Sequence, residues 1–134
     1  MSATFSITAE ADRDLVRISM GGFFTPEDIG RFVEARRRAH AQLRCGPNRH
    51  LTLNDVRGMK IQPRESVEAF QAMLADPAYR SRKLAFVVGA TLARMQLERA
   101  LSGRRDTAFF EDPAEAEAWL LQPEERQAPL RRAG

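Results

Sequence analysis

Asp55, Arg57, Gly58, Lys60 and Arg64 fall within ten consecutive residues, Asp55-Val56-Arg57-Gly58-Met59-Lys60-Ile61-Gln62-Pro63-Arg64. An aspartate that closes a central hydrophobic strand stands where a phosphoacceptor would stand. That chemistry also needs a second carboxylate to hold Mg²⁺ and a lysine after a later strand to pair the phosphoryl group. The strand ends Met20-Gly21-Gly22 and Phe109-Phe110-Glu111 do not supply that pair, so phosphoacceptor chemistry is not expected. Arg57, Lys60 and Arg64 flank Gly58 and a helix opened by Pro63, where free backbone N–H groups and the helix dipole favour an anion. Their spacing matches neither G-x-x-x-x-G-K nor G-x-G-x-x-G, and three basic residues in a loop are ordinarily solvated. Thr91, after Gly89-Ala90, and the acidic pair Glu111-Asp112 follow later strands. The expected partner- or ligand-binding set is therefore Asp55, Arg57, Gly58, Lys60, Arg64 and Thr91.

Cys45 is the single cysteine, with His40 and His50 five residues to either side. Read as lying at a helix C-terminus, it meets the negative end of the dipole, which disfavours a thiolate. As a metal set the three side chains lack a fourth ligand, and His40 belongs to an apolar stripe. There is no acid–base pair, and no nucleophile with an orienting partner. No catalytic residue, metal ligand or cofactor is assigned, and the chain is expected not to be an enzyme.

The elements that must position these residues follow from periodicity. Phe5 and Ile7, then Val16, Ile18 and Met20, alternate with polar residues about the turn Ala11–Asp14, predicting a hairpin that ends at Gly21-Gly22. Thr25-Pro26-Glu27-Asp28 is a helix start. Ile29, Phe32, Val33 and Leu43 form its inner stripe, Arg31, Arg37, Arg38 and Arg44 fall largely outside it, and Gly46-Pro47 marks its expected end; with Arg36, these arginines could touch an acidic partner or lipid headgroups. A strand over about residues 50–55 leads into an irregular stretch, 56–62. Pro63 then opens a second helix with Val67, Phe70 and Leu74 inward, ended by Asp76-Pro77. The apolar run Leu84–Val88 predicts a strand buried on both faces. A third helix carries Leu97 and Leu101 and is closed by Gly103. Thr107–Phe110 is a last short strand, and Asp112-Pro113-Ala114-Glu115 starts a final helix packed through Ala116, Trp119 and Leu120. The order β-β-α-β-α-β-α-β-α implies an α/β domain over residues 1–122, with a mostly parallel sheet and an antiparallel N-terminal hairpin. Residues 123–134 are expected to be a loose tail.

The chain has 134 residues and is 43% hydrophobic, enough for one core. A surplus of three basic residues does not make a nucleic-acid footprint. Residues 1–122 carry 18 basic and 16 acidic side chains, so the body is nearly balanced. Its arginines gather on the first helix, and its acids gather after residue 110. Two such poles fit orientation of a partner, or self-association as a homodimer. One cysteine fits a reducing, cytoplasmic setting. No secretory signal is evident in residues 1–14, and no apolar run approaches the ~18 residues of a membrane span.

Several phrases resemble SpoIIAA-like proteins. Gly21-Gly22-Phe23-Phe24-Thr25-Pro26-Glu27-Asp28 is similar to their link from hairpin to first helix. Residues 50–58 and Lys83–Gly89 are similar to their central strands. Phe109-Phe110-Glu111-Asp112-Pro113-Ala114-Glu115-Ala116-Glu117-Ala118-Trp119-Leu120 resembles their closing strand, acidic turn and Trp-Leu helix. The resemblance covers about residues 4–121. It implies the STAS fold, the sulfate transporter and anti-sigma factor antagonist module, related in architecture to SEC14 lipid-binding domains. Such proteins act by binding. Antagonists pair with a regulatory kinase and are switched off by phosphorylation of a serine at the start of the second helix, whereas SEC14-like members enclose an apolar ligand. The antagonists' Asp-Ser-Ser-Gly-like stretch is replaced here by Ile61-Gln62-Pro63-Arg64-Glu65-Ser66. Ser66 is therefore the candidate for phosphorylation, without a clear switch motif. Two functions are expected: a protein-binding module whose partner meets residues 55–66, or a carrier whose Met59, Ile61, Met73 and Met95 line a pocket for a small apolar ligand. The space beneath Gly58 and Gly89 discriminates between them.

Overall fold

The computed structural model describes residues 2–89, 92–101 and 106–123. Its strands are β1 (Thr4–Glu10), β2 (Leu15–Gly22), β3 (Leu51–Met59), β4 (Lys83–Val87) and β5 (Thr107–Phe110). Its helices are α1 (Pro26–His40), α2 (Arg64–Leu74), α3 (Leu92–Ala100) and α4 (Pro113–Leu120). One sheet runs in the order β1-β2-β3-β4-β5; β1 is antiparallel to β2 and every later pair is parallel.

That monotonic order decides the layers. Crossovers between adjacent parallel strands share one hand, so successive connecting helices land on one face of the sheet. Val16, Ile18 and Met20 of β2 accordingly pack with Phe24 and with Ile29 and Phe32 of α1, joined by Phe70 and Met73 of α2. Leu84, Phe86 and Val88 pack with Leu97 and Leu101 near α3. The alternate side chains Leu15, Leu51, Leu53, Ala85 and Val87 point the other way, and α4 covers them with Ala116 and Leu120.

Capping fixes two of the helix starts. The Thr25 hydroxyl accepts from Asp28 N–H at 3.1 Å while Asp28 accepts from Thr25 N–H at 2.9 Å, a reciprocal box at the head of α1. Asp112 accepts from Ala114 N–H at 2.9 Å at the head of α4.

Three expectations change. First, α1 ends at His40, ahead of Gly46-Pro47. Gln42 and Leu43 donate three residues back, to Ala39 and His40, which tightens the chain out of the helix. The Asp14 carboxylate then accepts from Arg44 N–H and Cys45 N–H at 2.9 and 3.0 Å, holding the segment against the hairpin turn. Second, residues 56–59 are strand. Gly21 pairs with Gly58 and Gly22 with Met59, and β3 carries one extra residue between these pairs and Ser19–Asp55. This bulge lets the strand continue with altered twist. A Cβ on Gly21 would meet the Gly58 carbonyl oxygen at an ordinary 3.4 Å and crowd the Thr4 hydroxyl at 3.1 Å. Third, Arg36 is inside the protein, 7% exposed, because it follows Ile29 and Phe32 on the buried stripe. Gly103 and residues 124–134 lie outside the described residues.

Candidate functional site

Strand alternation sorts the residues around Asp55 onto two faces. Asp55 falls on the α4 side with Leu51 and Leu53; Asn54 and Val56 fall on the α2 and α3 side. Asp55 and Arg57 form a closed pair: Arg57 donates to the carboxylate from its backbone N–H at 3.1 Å, from Nε at 3.0 Å and from an Nη at 2.8 Å. These hydrogen bonds hold the Asp55 carboxyl below its usual range, against the opposing effect of burial. A carboxylate so occupied has little capacity left for another ligand.

Arg64 stands apart, in an exposed ion pair with Glu68 at 3.2 Å. Lys60 is anchored through its backbone, whose N–H donates to the Gly22 carbonyl at 3.2 Å. Gly58 is engaged in the β2–β3 crossing. Thr91 lies outside the described residues. The structure thus joins Asp55 to Arg57 and puts Arg57 and Lys60 at one cavity, while Arg64 does not line it.

That cavity lies beneath Gly89 and between the sheet, α2 and α3. Its volume is about 80 Å³, and its walls are mostly apolar: Met20, Val56, Met59, Phe70, Met73 and Phe86. Of the four residues expected to line a pocket, Met59 and Met73 do so; Ile61 and Met95 are exposed at 49% and 56%. Asn54 interrupts the apolar wall. It is 6% exposed, and its Oδ1 has no hydrogen-bond partner among the described residues. A buried amide oxygen left unpaired costs about 1–3 kcal/mol. No sequence motif marks Asn54; the available signal is an asparagine in the run His50–Asp55, where a strand buried on both faces should carry apolar residues.

The loop above the cavity is fixed by Gln62. Its side chain accepts from Phe24 N–H at 2.9 Å and donates to the carbonyls of Gly22 and Lys60 at 3.0 and 2.5 Å. Ser66 sits in the first turn of α2, 1% exposed, with its hydroxyl donating to the Phe24 carbonyl at 2.5 Å. In this conformation it is not presented to a kinase.

Cys45 lies beyond α1 and not at its last turn; burial raises its pKa, and the Asp14 charge raises it further. His40 and His50 meet edge to face, with centroids 4.3 Å apart. Among the described residues no cluster of three or more His, Cys, Asp or Glu side chains could hold a metal ion, and no helix is long and apolar enough to cross a membrane. The expected basic pole is partly self-neutralised, because Arg31 pairs with Asp28, and Arg37 and Arg38 pair with Glu34. Glu117 of α4 is likewise taken up by Arg13 and Arg17.

No protein-family model matches the chain, and no curated protein matches it. Among solved structures it is similar to an uncharacterized protein of the DUF3478 family from Shewanella loihica PV-4, described as having a SpoIIAA-like fold. The TM-score is 0.68 at 16% sequence identity, over 89% of this chain and 94% of that one. Together with the element order and the mixed sheet, this establishes that the chain has the SpoIIAA-like, STAS-type fold.

Proposed function

We propose that this domain works by binding and not by turnover, and that its cavity holds the apolar part of a small molecule. The observation that carries the reading is the open, methionine- and phenylalanine-lined space with an unpartnered Asn54 Oδ1 in its wall. A filled core at this position would favour surface binding alone. Apolar cavities that stay dry take up apolar ligands, and about 80 Å³ suits a short alkyl chain or part of a ring. Asn54 Oδ1 is an acceptor, so it favours a ligand that brings a hydroxyl or N–H to the same wall. The flexible thioethers of Met59 and Met73 adapt to different shapes.

The test is titration with 1-butanol and 1-hexanol, followed by the methyl signals of the methionines. Met59 and Met73 are expected to shift saturably while exposed Met95 does not. Met73→Trp, which fills the cavity, is expected to abolish the effect. Uniform, non-saturating shifts in all methionines would refute the reading.

A second reading is supported by Phe23 and Ile61, exposed at 44% and 49% on the two segments that Gln62 joins. They offer a cytoplasmic protein partner, or a second copy of the chain, an apolar contact, with Ile61 on the same stretch of chain as Arg57 and Arg64. The Asp55–Arg57 pair is half exposed on the arginine side, so Arg57→Ala should leave stability almost unchanged. Loss of a partner in Arg57→Ala or Arg64→Ala would then report the surface itself, and retention in both would move the contact elsewhere.

A further inference from the structure

A second cavity, of about 40 Å³, lies between α1, β3 and the 3₁₀ turn Pro77–Tyr79, and a buried arginine enters it. Its wall is mostly apolar, through Ile18, Phe32 and Leu84 among others, but Arg36, Thr52, Asn54 and Ser81 bring polar groups to it. Arg36 enters it from the buried stripe of α1 with its guanidinium carbon 4.3 Å from the centre of the Tyr79 ring. Its Nε is buried without a hydrogen-bond partner among the described residues. No carboxylate of a described residue forms an ion pair with it. Asp76 is the acid whose field reaches it, and Asp76 Oδ1 is engaged by Ala78 N–H at 3.0 Å as the cap of the 3₁₀ turn. The two histidines nearby are neutral at physiological pH and supply no negative charge.

A buried guanidinium with a free donor, and only the field of a capping carboxylate to offset its charge, is incompletely compensated. Water in the cavity would satisfy the donor but leave the charge. We infer that Arg36 and this cavity form a site for a small monoanion, of which a planar carboxylate is the best match. A carboxylate presents two oxygens to the guanidinium edge, and the available volume suits formate or acetate better than a tetrahedral phosphate. Thr52 Oγ1 and Ser81 Oγ lie 2.7 Å apart, and Ser81 Oγ lies 3.2 Å from His50 Nε2. This chain of rotatable hydroxyls can turn a hydrogen toward the anion. Asn54 Oδ1 is an acceptor and cannot donate to the anion. The inference stands on the Arg36 cavity and does not depend on what fills the apolar one.

The test follows the Arg36 Nε–Hε signal by nitrogen-15 NMR while the wild-type protein is titrated with sodium formate and sodium acetate. Ionic strength is held with sodium sulfate, whose ion exceeds the cavity. A saturable shift of that signal, with a matching saturable rise in Tm, is expected. Arg36→Met should keep the fold, with equal or higher Tm, and lose the anion response. Butyrate and hexanoate distinguish the source of the carboxylate: tightening with chain length identifies an acid reaching toward the apolar cavity, and no tightening identifies a free small anion. A response that is linear and no greater than that to sulfate would overturn the inference, as would a Tm gain that persists in Arg36→Met.

Discussion

The Ser66 hydroxyl donates to the carbonyl of Phe24, so a residue in the first turn of α2 is locked to the lead-in of α1 across 42 positions of sequence. Gln62 adds a second lock, accepting from the N–H of the same Phe24. Both carbonyl and amide of one buried residue are thereby satisfied by side chains from a segment that supplies no backbone partner to Phe24. Ser66→Ala leaves that carbonyl unpaired and should lower unfolding free energy by about 1–2 kcal/mol. Ser66→Asp places a charge at the same buried point and should cost roughly 3–5 kcal/mol. Urea denaturation of the two variants checks both. Equal stability of Ser66→Asp and wild type would mean that the hydroxyl is readily released, which is what a phosphorylation switch at Ser66 requires.

Two glycines should respond in opposite senses to the same substitution. Gly22 has φ +83°, and an added Cβ would stand 2.2 Å from the Ser2 carbonyl oxygen. Gly22→Ala should therefore destabilise by about 1–3 kcal/mol and loosen the start of β1. Gly30 lies on the exposed side of α1 with nothing within 4 Å of its added Cβ. Gly30→Ala should stabilise by about 0.5–1 kcal/mol through lower chain entropy in the unfolded state. Thermal unfolding of the two single variants would contradict this account if the two shifts had the same sign.

His40 and His50 set an acid limb on stability. Each has its pKa lowered from 6.5 to about 4. Burial is the main cause for both; next come His50 and Arg36 for His40, and Arg36 for His50, where Asp14 acts in the opposite direction. Tyr79 packs on His40 from the 3₁₀ turn, with ring centroids 5.0 Å apart. Between pH 6.5 and 4 the unfolded chain binds more protons at these sites than the folded one, so stability rises with pH across that window. It is fully present above 6.5 and is lost on acidification, by roughly 3 kcal/mol per histidine by pH 4. His40→Leu should flatten about half of this slope in urea titrations at stepped pH. An unchanged slope would place the acid sensitivity elsewhere, for example in the Glu10 and Glu117 carboxylates bound by Arg13 and Arg17, whose pKa values are also lowered.

What the sequence disclosed and what it concealed have separate physical causes. Thr25, Asp112 and the proline after each are local signals, because a cap acts within one turn, and both helix starts appear where those residues stand. The β3 extension pairs Gly21 with Gly58, 37 positions apart, and no local window contains that pairing. Arg36 was hidden by its own chemistry. Spacing from Ile29 and Phe32 puts it on the inner stripe, but a charge there is ordinarily assigned to solvent. Asn54 was hidden similarly, since the loss of a hydrogen bond becomes visible only when every neighbour is known. The Asp55–Arg57 pair was legible as two residues at a strand end, and its closed, three-bonded geometry was not.

Asn54 gives the sharpest separation between a binding site and a defect of packing. Asn54 lines both cavities and its Oδ1 has no partner among the described residues, so the folded protein bears the desolvation of that atom. Replacing it by leucine, which has the same branching and number of side-chain heavy atoms but no polar atom, removes the penalty. Asn54→Leu should raise unfolding free energy by about 1–3 kcal/mol, and calorimetry would read this as a higher Tm. The same variant should bind 1-hexanol more weakly than wild type, because the ligand hydroxyl loses its acceptor, while a purely apolar probe such as benzene should bind at least as well. Higher stability with unchanged preference between alcohol and benzene would show that Asn54 does not face the bound molecule. Lower stability would show that the carboxamide is satisfied by ordered water, and the acceptor role assigned to it toward a ligand would then fail.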